Sequence, residues 1–170
     1  DTNMVLTIQN ATQVFNETQK FPEKDASTIS KIYADWVAEG KTADTTALNV
    51  DNVLAVFDKL MEQMDEALVP STGRLLYVTP ATKTLLKQAS NIGLSRSVIE
   101  PGNDMINRVV NRLDEVILIT VPSFLMKTAY TFTTGFAPSD SAKQINLFLV
   151  HPSAILTPNK YAFVGMEAPA

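Results

Sequence analysis

Cysteine is absent from the 170-residue sequence, and histidine occurs once. Without thiols there is no disulfide, no thiolate zinc site and no cysteine nucleophile. A single imidazole, His151, gives little support to a transition-metal centre, so no metal or cofactor is expected. Glycine is scarce too, at six scattered residues, and the sequence holds neither a GxxxxGK[ST] nor a GxGxxG phosphate loop. A GxSxG nucleophile elbow is missing as well. Positive charge is in deficit: 14 Lys and Arg against 18 Asp and Glu give a formal charge of −4. That balance argues against a surface built to neutralise phosphates, and no sequence-specific nucleic-acid binding is expected. No apolar run reaches the ~20 residues of a membrane helix. The longest candidate, Val116 to Val121, has strand length, so no membrane contact is expected.

What is present is ordinary for a globular chain: 45% hydrophobic and 19% charged residues. A chain of this length hides roughly 70% of its unfolded surface and needs no staple to fold. Residues 1–24 read as loosely organised, with Val5, Leu6 and Ile8 able to form a strand and Phe15 and Phe21 to cover a core edge. Pro22 marks a break. From Thr28, the residues Ile29, Ile32, Tyr33, Trp36 and Val37 keep the i, i+3, i+4 spacing of an amphipathic helix that ends at Gly40. Val53, Leu54, Phe57, Leu60, Met61, Met64 and Leu68 continue a second stripe from about Val50 to Ala67, and Pro70 closes it.

The period then changes. "LLYV" (Leu75 to Val78) reads as a buried strand and Thr79-Pro80 as a helix start, with Thr79 as N-cap and Pro80 at the first helical position. Ala81, Leu85, Leu86 and Ala89 are expected to face inward. Periodicity fails between Asn91 and Asn103, which reads as a long surface loop. Beyond it lie β-rich segments: "MINRVVNRL", a turn at Asp114-Glu115, the central strand "VILITV", a short strand in "YTFTTGF", the loop "APSDSA" and the buried strand "INLFLV". The order predicts an α+β fold, a mixed β-sheet with flanking helices on one side.

Few residues suggest chemistry. His151 at a strand end is the best base on offer, yet the sequence supplies no obvious nucleophile for it. Thr79 could present amides to an anion, but Pro80 removes one donor. Asp58, Glu62, Asp65 and Glu66 lie opposite an apolar stripe and read as a solvated face. Arg96, Arg108 and Arg112 form a modest basic group without interleaved aromatics, and salt bridging to a neighbouring subunit suits them better than base readout.

Five stretches, in order, carry a family resemblance: "EKDASTISKIYADW" (Glu23 to Trp36), "VFDKLMEQMDEALVP" (Val56 to Pro70), "RLLYVTPATKTLLKQ" (Arg74 to Gln88), "RVVNRLDEVILITVPS" (Arg108 to Ser123) and "INLFLVHPSAILTPNKYAF" (Ile145 to Phe163). Together they resemble the major capsid proteins of tailed bacteriophages. The resemblance departs at Glu115, where a glycine after the aspartate is often found, and this leaves the turn geometry open. It implies the axial domain of the shared shell fold over residues 25–170, with 1–24 an N-terminal extension or connecting segment, and the chain part of a longer subunit.

The resemblance further implies a non-enzymatic coat subunit. It would self-assemble into pentamers and hexamers of an icosahedral head enclosing DNA, in the virion and built in the bacterial cytoplasm, with scaffold and portal proteins as further partners. Asn91, Ser95, Arg96, Glu100 and Asn103 would then form the loop where copies meet at a capsomer centre. Three other readings stand beside it: a nanocompartment shell or other phage structural protein on the same fold, a small hydrolase using His151, and a ligand- or partner-binding module.

Overall fold

Phe57 and Val53 lie one turn apart on one helix face, and both are fully buried. Their helix, α2 (Val53–Glu66), lays that face on a sheet whose inward residues are Leu76, Val78, Val116 and Leu118. The computed structural model describes residues 10–89, 98–99, 106–107, 112–133 and 135–156. Among these, α1 (Phe21–Ala38) precedes α2, and α3 (Pro80–Gln88) follows the strand β1 (Leu75–Val78).

The main sheet has four strands in the order β4 (Arg112–Leu113), β5 (Val116–Thr120), β1, β8 (Leu147–Val150). β1 pairs parallel with β5 and antiparallel with β8, so the sheet is mixed. Its register places Leu76 between Leu118 and Leu149, three leucines on the core face. Leu85, Leu86 and Ala89 of the α3 region complete this layer. The α+β class and the flanking helices are therefore as the periodicities predict. Two smaller ladders stand apart: β2 (Val98–Ile99) with β3 (Ile106–Asn107), and β6 (Tyr130–Thr131) with β7 (Ala137–Pro138). Two positions expected in loops therefore take part in ladders, Val98–Ile99 and Ala137–Pro138.

Alternation sends Leu75, Tyr77, Ile117, Ile119 and Phe148 to the opposite face. There Tyr77 and Phe148 stack, ring centroids 4.8 Å apart and 7° from parallel. Burial raises the Tyr77 hydroxyl pKa, and the nearby Asp25 charge raises it further. Asp25 itself is raised by desolvation, partly offset by Lys24. The helix α1 thus serves the second face, and the expectation of helices on one side only is corrected.

The first helix is also longer than its periodicity suggests. Residues 10–15 are helical, Asn16–Lys20 form a π-turn, and α1 continues through Pro22 to Ala38. Proline deletes a donor and crowds the preceding turn. The π-turn, where the Phe21 N–H reaches the Asn16 carbonyl, widens the helix just ahead of Pro22 and absorbs that defect. Pro22 is therefore no break, and the expected boundary between residues 24 and 25 lies inside a helix. The expected strand at Val5, Leu6 and Ile8 lies outside the described residues.

Candidate functional site

The corner after β1 is built as a cap. Thr79 is extended (φ −72°, ψ 158°) and its hydroxyl accepts the Thr82 N–H at 3.3 Å. The Thr79 and Thr82 hydroxyls meet at 3.0 Å, and both residues are buried. The Thr79 N–H donates to the Asn146 carbonyl at 3.0 Å, extending the β1–β8 ladder by one bond. This hydroxyl pair turns Thr82 inward, so Ala81, expected to face the core, is exposed instead.

A second corner, Val150-His151-Pro152, lies at the other end of the same strand pair. The His151 Nδ1 accepts the Ser153 N–H at 3.3 Å and contacts the Ser153 Oγ at 2.6 Å. Its Nε2 faces the Thr72 carbonyl at 3.2 Å. With Nδ1 accepting, the proton sits on Nε2 and donates to Thr72. The ring thus caps the short 3-10 turn Pro152–Ala154 and ties it to the loop before β1.

That loop centres on a residue that sequence reasoning missed. Arg74 is 1% exposed. Its Nε donates to the Pro70 carbonyl at 2.9 Å, and its Nη2 donates to the Val69 carbonyl and, at 2.6 Å, to Asp65 of α2. A cation buried against carbonyls stays favourable only because its donors are used. The one sequence signal was an arginine abutting a buried strand.

Arg74 fastens an unusual helix end. The Leu68 N–H bonds the Asp65 carbonyl at 2.9 Å and the Val69 N–H bonds the Met64 carbonyl at 3.0 Å, a Schellman motif. Its left-handed position is normally glycine, because a Cβ there costs roughly 1–2 kcal/mol. Here it is Leu68, at φ 57° and 90% exposed. Asp114 is the other non-glycine residue with positive φ among those described, at 53°. It opens the two-residue turn between β4 and β5, and Glu115 does not share its left-handed conformation. Since only the first turn position needs positive φ, the glutamate at the second is unstrained.

Several further large apolar residues are exposed on the first helix. Trp36 is 41% and Val37 44% exposed, although their spacing predicts a core face. Only Ala26 and Ile29 of α1 are buried; Phe15 and Phe21, expected on a core edge, are exposed. Beside α1, Phe124, Tyr130, Phe132 and Phe136 form a chain of tilted ring contacts. The Tyr130 hydroxyl accepts the Lys127 N–H at 3.1 Å and donates to the Phe124 carbonyl at 2.7 Å, fixing that cluster. Between α1, Phe132 and Ala154 to Leu156 runs an open groove of about 590 Å³. Lys20, Lys24 and Lys31 line one side with Glu23 and Asp35, and Ile32, Phe132, Ile155 and Leu156 supply apolar surface. Lys31 is paired with Asp35 one turn on.

Of the other residues singled out by sequence, Asp58, Glu62 and Glu66 are exposed along α2, and Asp65 is taken by Arg74. Among the described residues no group of three His, Cys, Asp or Glu is placed to hold a metal ion. No described helix is long and apolar enough to cross a membrane. Arg112 is exposed, while Arg96, Arg108 and the expected contact-loop residues Asn91, Ser95, Arg96, Glu100 and Asn103 lie outside the described residues. Compared with protein-family models, curated proteins and solved structures, the chain matches none.

Proposed function

We propose that this chain is a structural subunit that assembles with copies of itself into a closed shell, in the manner of a tailed-phage coat protein. One observation carries the reading most: large apolar side chains stand about half exposed toward both ends of the first helix and beside it. Val14, Phe15, Phe21, Trp36 and Val37 are each more than 40% exposed, and Phe124 and Phe132 add to them. Scattered exposed apolar residues are normal, but this many large ones on one helix and the ring cluster beside it suit an interaction surface. The order of the five resembling segments supports the same conclusion from the sequence side. The helices that carry those segments pack on a mixed sheet, an architecture compatible with the shell fold.

The test is assembly of the full-length gene product, followed by light scattering and negative-stain microscopy over a range of concentration and salt. Hollow particles, or rings of five or six, are the expected outcome. A monomer at every condition would sink the reading. A nanocompartment shell would yield the same particles, and the nucleic-acid or protein content of particles purified from cells separates the two.

The hydrolase alternative has one observation in its favour, the 2.6 Å contact between His151 and Ser153. In that reading His151 would take the serine proton and a carboxylate would orient the ring. The second ring nitrogen faces the Thr72 carbonyl instead, and Nδ1 already accepts the Ser153 amide. Hydrolysis of activated esters that disappears in His151→Ala, with folding intact, would revive it.

A further inference from the structure

We infer that Leu68 is the anchor of a contact between copies of this chain, seated in the groove that α1 forms with Phe132 and Leu156 of the neighbouring copy. The inference rests on the self-assembly reading and names the surfaces that would serve it.

Leu68 breaks a local rule, and among the described residues its side chain gains almost no burial in return. Its position in the Schellman motif favours glycine, its φ is 57°, and its side chain is 90% exposed. Backbone strain of this kind persists where the surrounding structure imposes it, and it clusters at functional sites. The strained leucine is also held rigidly. Arg74 donates to the carbonyls of Val69 and Pro70, the two residues that follow it, and to Asp65 in the last turn of α2. An apolar side chain projected on a fixed stalk suits insertion into a pocket, because little freedom remains to be lost on binding.

Charge selects the pocket. Asp58, Glu62 and Glu66 line α2 at i, i+4 and i+8, an exposed acidic ridge that leads to Leu68. None of the three forms an ion pair among the described residues. The α1 groove offers the complement. Lys20 and Lys24 share the one-turn spacing of Glu62 and Glu66, about 6 Å along the axis. The apolar surface of Phe132, Ile155 and Leu156 lies in the same groove. Glu23 and Asp35 also line it, and Asp35 is occupied by Lys31. Ridge and groove are different surfaces, so the contact is head-to-tail, and such contacts close into rings when the rotation per copy allows.

The full-length product separates this inference from the reading beneath it. Leu68→Gly relieves the strain, so its melting temperature should rise by about 2–4 °C when measured on unassembled protein. Its assembly should nevertheless need about tenfold to a hundredfold more protein, the loss expected for one buried leucine per contact. A merely structural role for Leu68 would not move stability and assembly in opposite directions. Glu62→Lys with Glu66→Lys should likewise block assembly, and adding Lys20→Glu with Lys24→Glu should restore it. If Leu68→Gly assembles like the parent, the anchor is wrong and the shell reading survives. If Leu68→Gly weakens assembly but the charge reversal is not rescued, the groove is the wrong socket. A parent protein that stays monomeric overturns both.

Discussion

The helices α1 and α2 look alike as sequence and behave differently as structure. Each carries apolar residues at helical spacing over several turns. On α2 the stripe is spent on the core: Val53 and Phe57 are buried, and Leu54 and Met61 pack at the edge of the same cluster. On α1 only Ala26 and Ile29 are buried, and Trp36 and Val37 stay 41% and 44% exposed. Helical periodicity therefore identifies an apolar face but not what covers it. The sheet decides that. Its first face meets α2 and α3, whereas α1 packs chiefly beside the 3-10 turn Ser123–Leu125 and β6, which leave Trp36 and Val37 partly exposed.

The sharpest way to break the contrast is to cut one side chain from each helix. Phe57→Ala removes a fully buried ring from the centre of the core. It should cost about 3–5 kcal/mol, enough to unfold much of the population near body temperature. Trp36→Ala, larger in atoms removed, should cost clearly less, about 1–2 kcal/mol in the unassembled chain, since 41% of the residue is already exposed to water. Urea unfolding of both variants measures the difference directly. Equal losses would mean that the Trp36 face is covered in the free chain, and the surface argument for assembly would fall with it.

Arg74 tests whether the end of α2 is held as firmly as its middle. Arg74→Ala strips the Pro70 and Val69 carbonyls of their donor and leaves a cavity beside Met61. A loss of about 2–3 kcal/mol is expected, from the lost charge-assisted hydrogen bonds together with the packing of the buried Arg74 side chain. Arg74→Lys should recover little, because one ammonium cannot reproduce the fork that serves Asp65 and two carbonyls. Full recovery by lysine would show that charge alone matters there. Thr79→Ala should cost about 1–2 kcal/mol, through the lost N-cap and the orphaned Thr82 hydroxyl. Thr79→Ser, which keeps the hydroxyl, should remain close to the parent.

These residues also show how far the sequence could be read. The Thr79-Pro80 corner was legible because cap and proline act on their own turn, and no distant partner is needed. The α2 stripe and the strands "LLYV", "VILITV" and "INLFLV" were legible for a similar reason: pattern, length and flanking turns agree. Pro22 misled, since a proline usually stops a helix and the π-turn that accommodates it has no clear signature in five ordinary residues. Ala81 misled because the Thr79–Thr82 hydroxyl pair rotated the apolar choice by one position. Arg74 was invisible, as its partners are carbonyls and one carboxylate brought together by the turn after α2. Leu68 was counted as the last apolar residue of a stripe, although the helix ends before it and points it outward. Each of these misses traces to a hydrogen bond or a left-handed residue that the local apolar pattern does not reveal. For the site the balance was poorer still, because its reading rested on a family resemblance and on loop residues outside those described.

The smallest expected effect lies in the connection between the two helices. Asp44 accepts the Thr46 N–H at 2.9 Å, the Thr46 hydroxyl at 2.6 Å and the Lys59 ammonium of α2 at 3.1 Å. The Thr46 bonds, with Lys59 behind them, lower its pKa from 3.8 to about 2. A carboxyl whose folded pKa lies below its unfolded value favours the folded state while it is ionised. That contribution is complete above pH 3.8 and is lost as the pH falls through about 2. The pair is solvent-exposed, so screening keeps the effect small and salt-sensitive. Following the Asp44 carboxyl by NMR should give a midpoint near 2. Asp44→Asn should lower stability slightly at neutral pH and flatten the acid limb between those two pH values, so that variant and parent converge below about pH 2. A midpoint near 3.8 in the folded chain would show that the Thr46 turn does not persist in solution, and that α1 and α2 are joined by a looser connection than the hydrogen bonds describe.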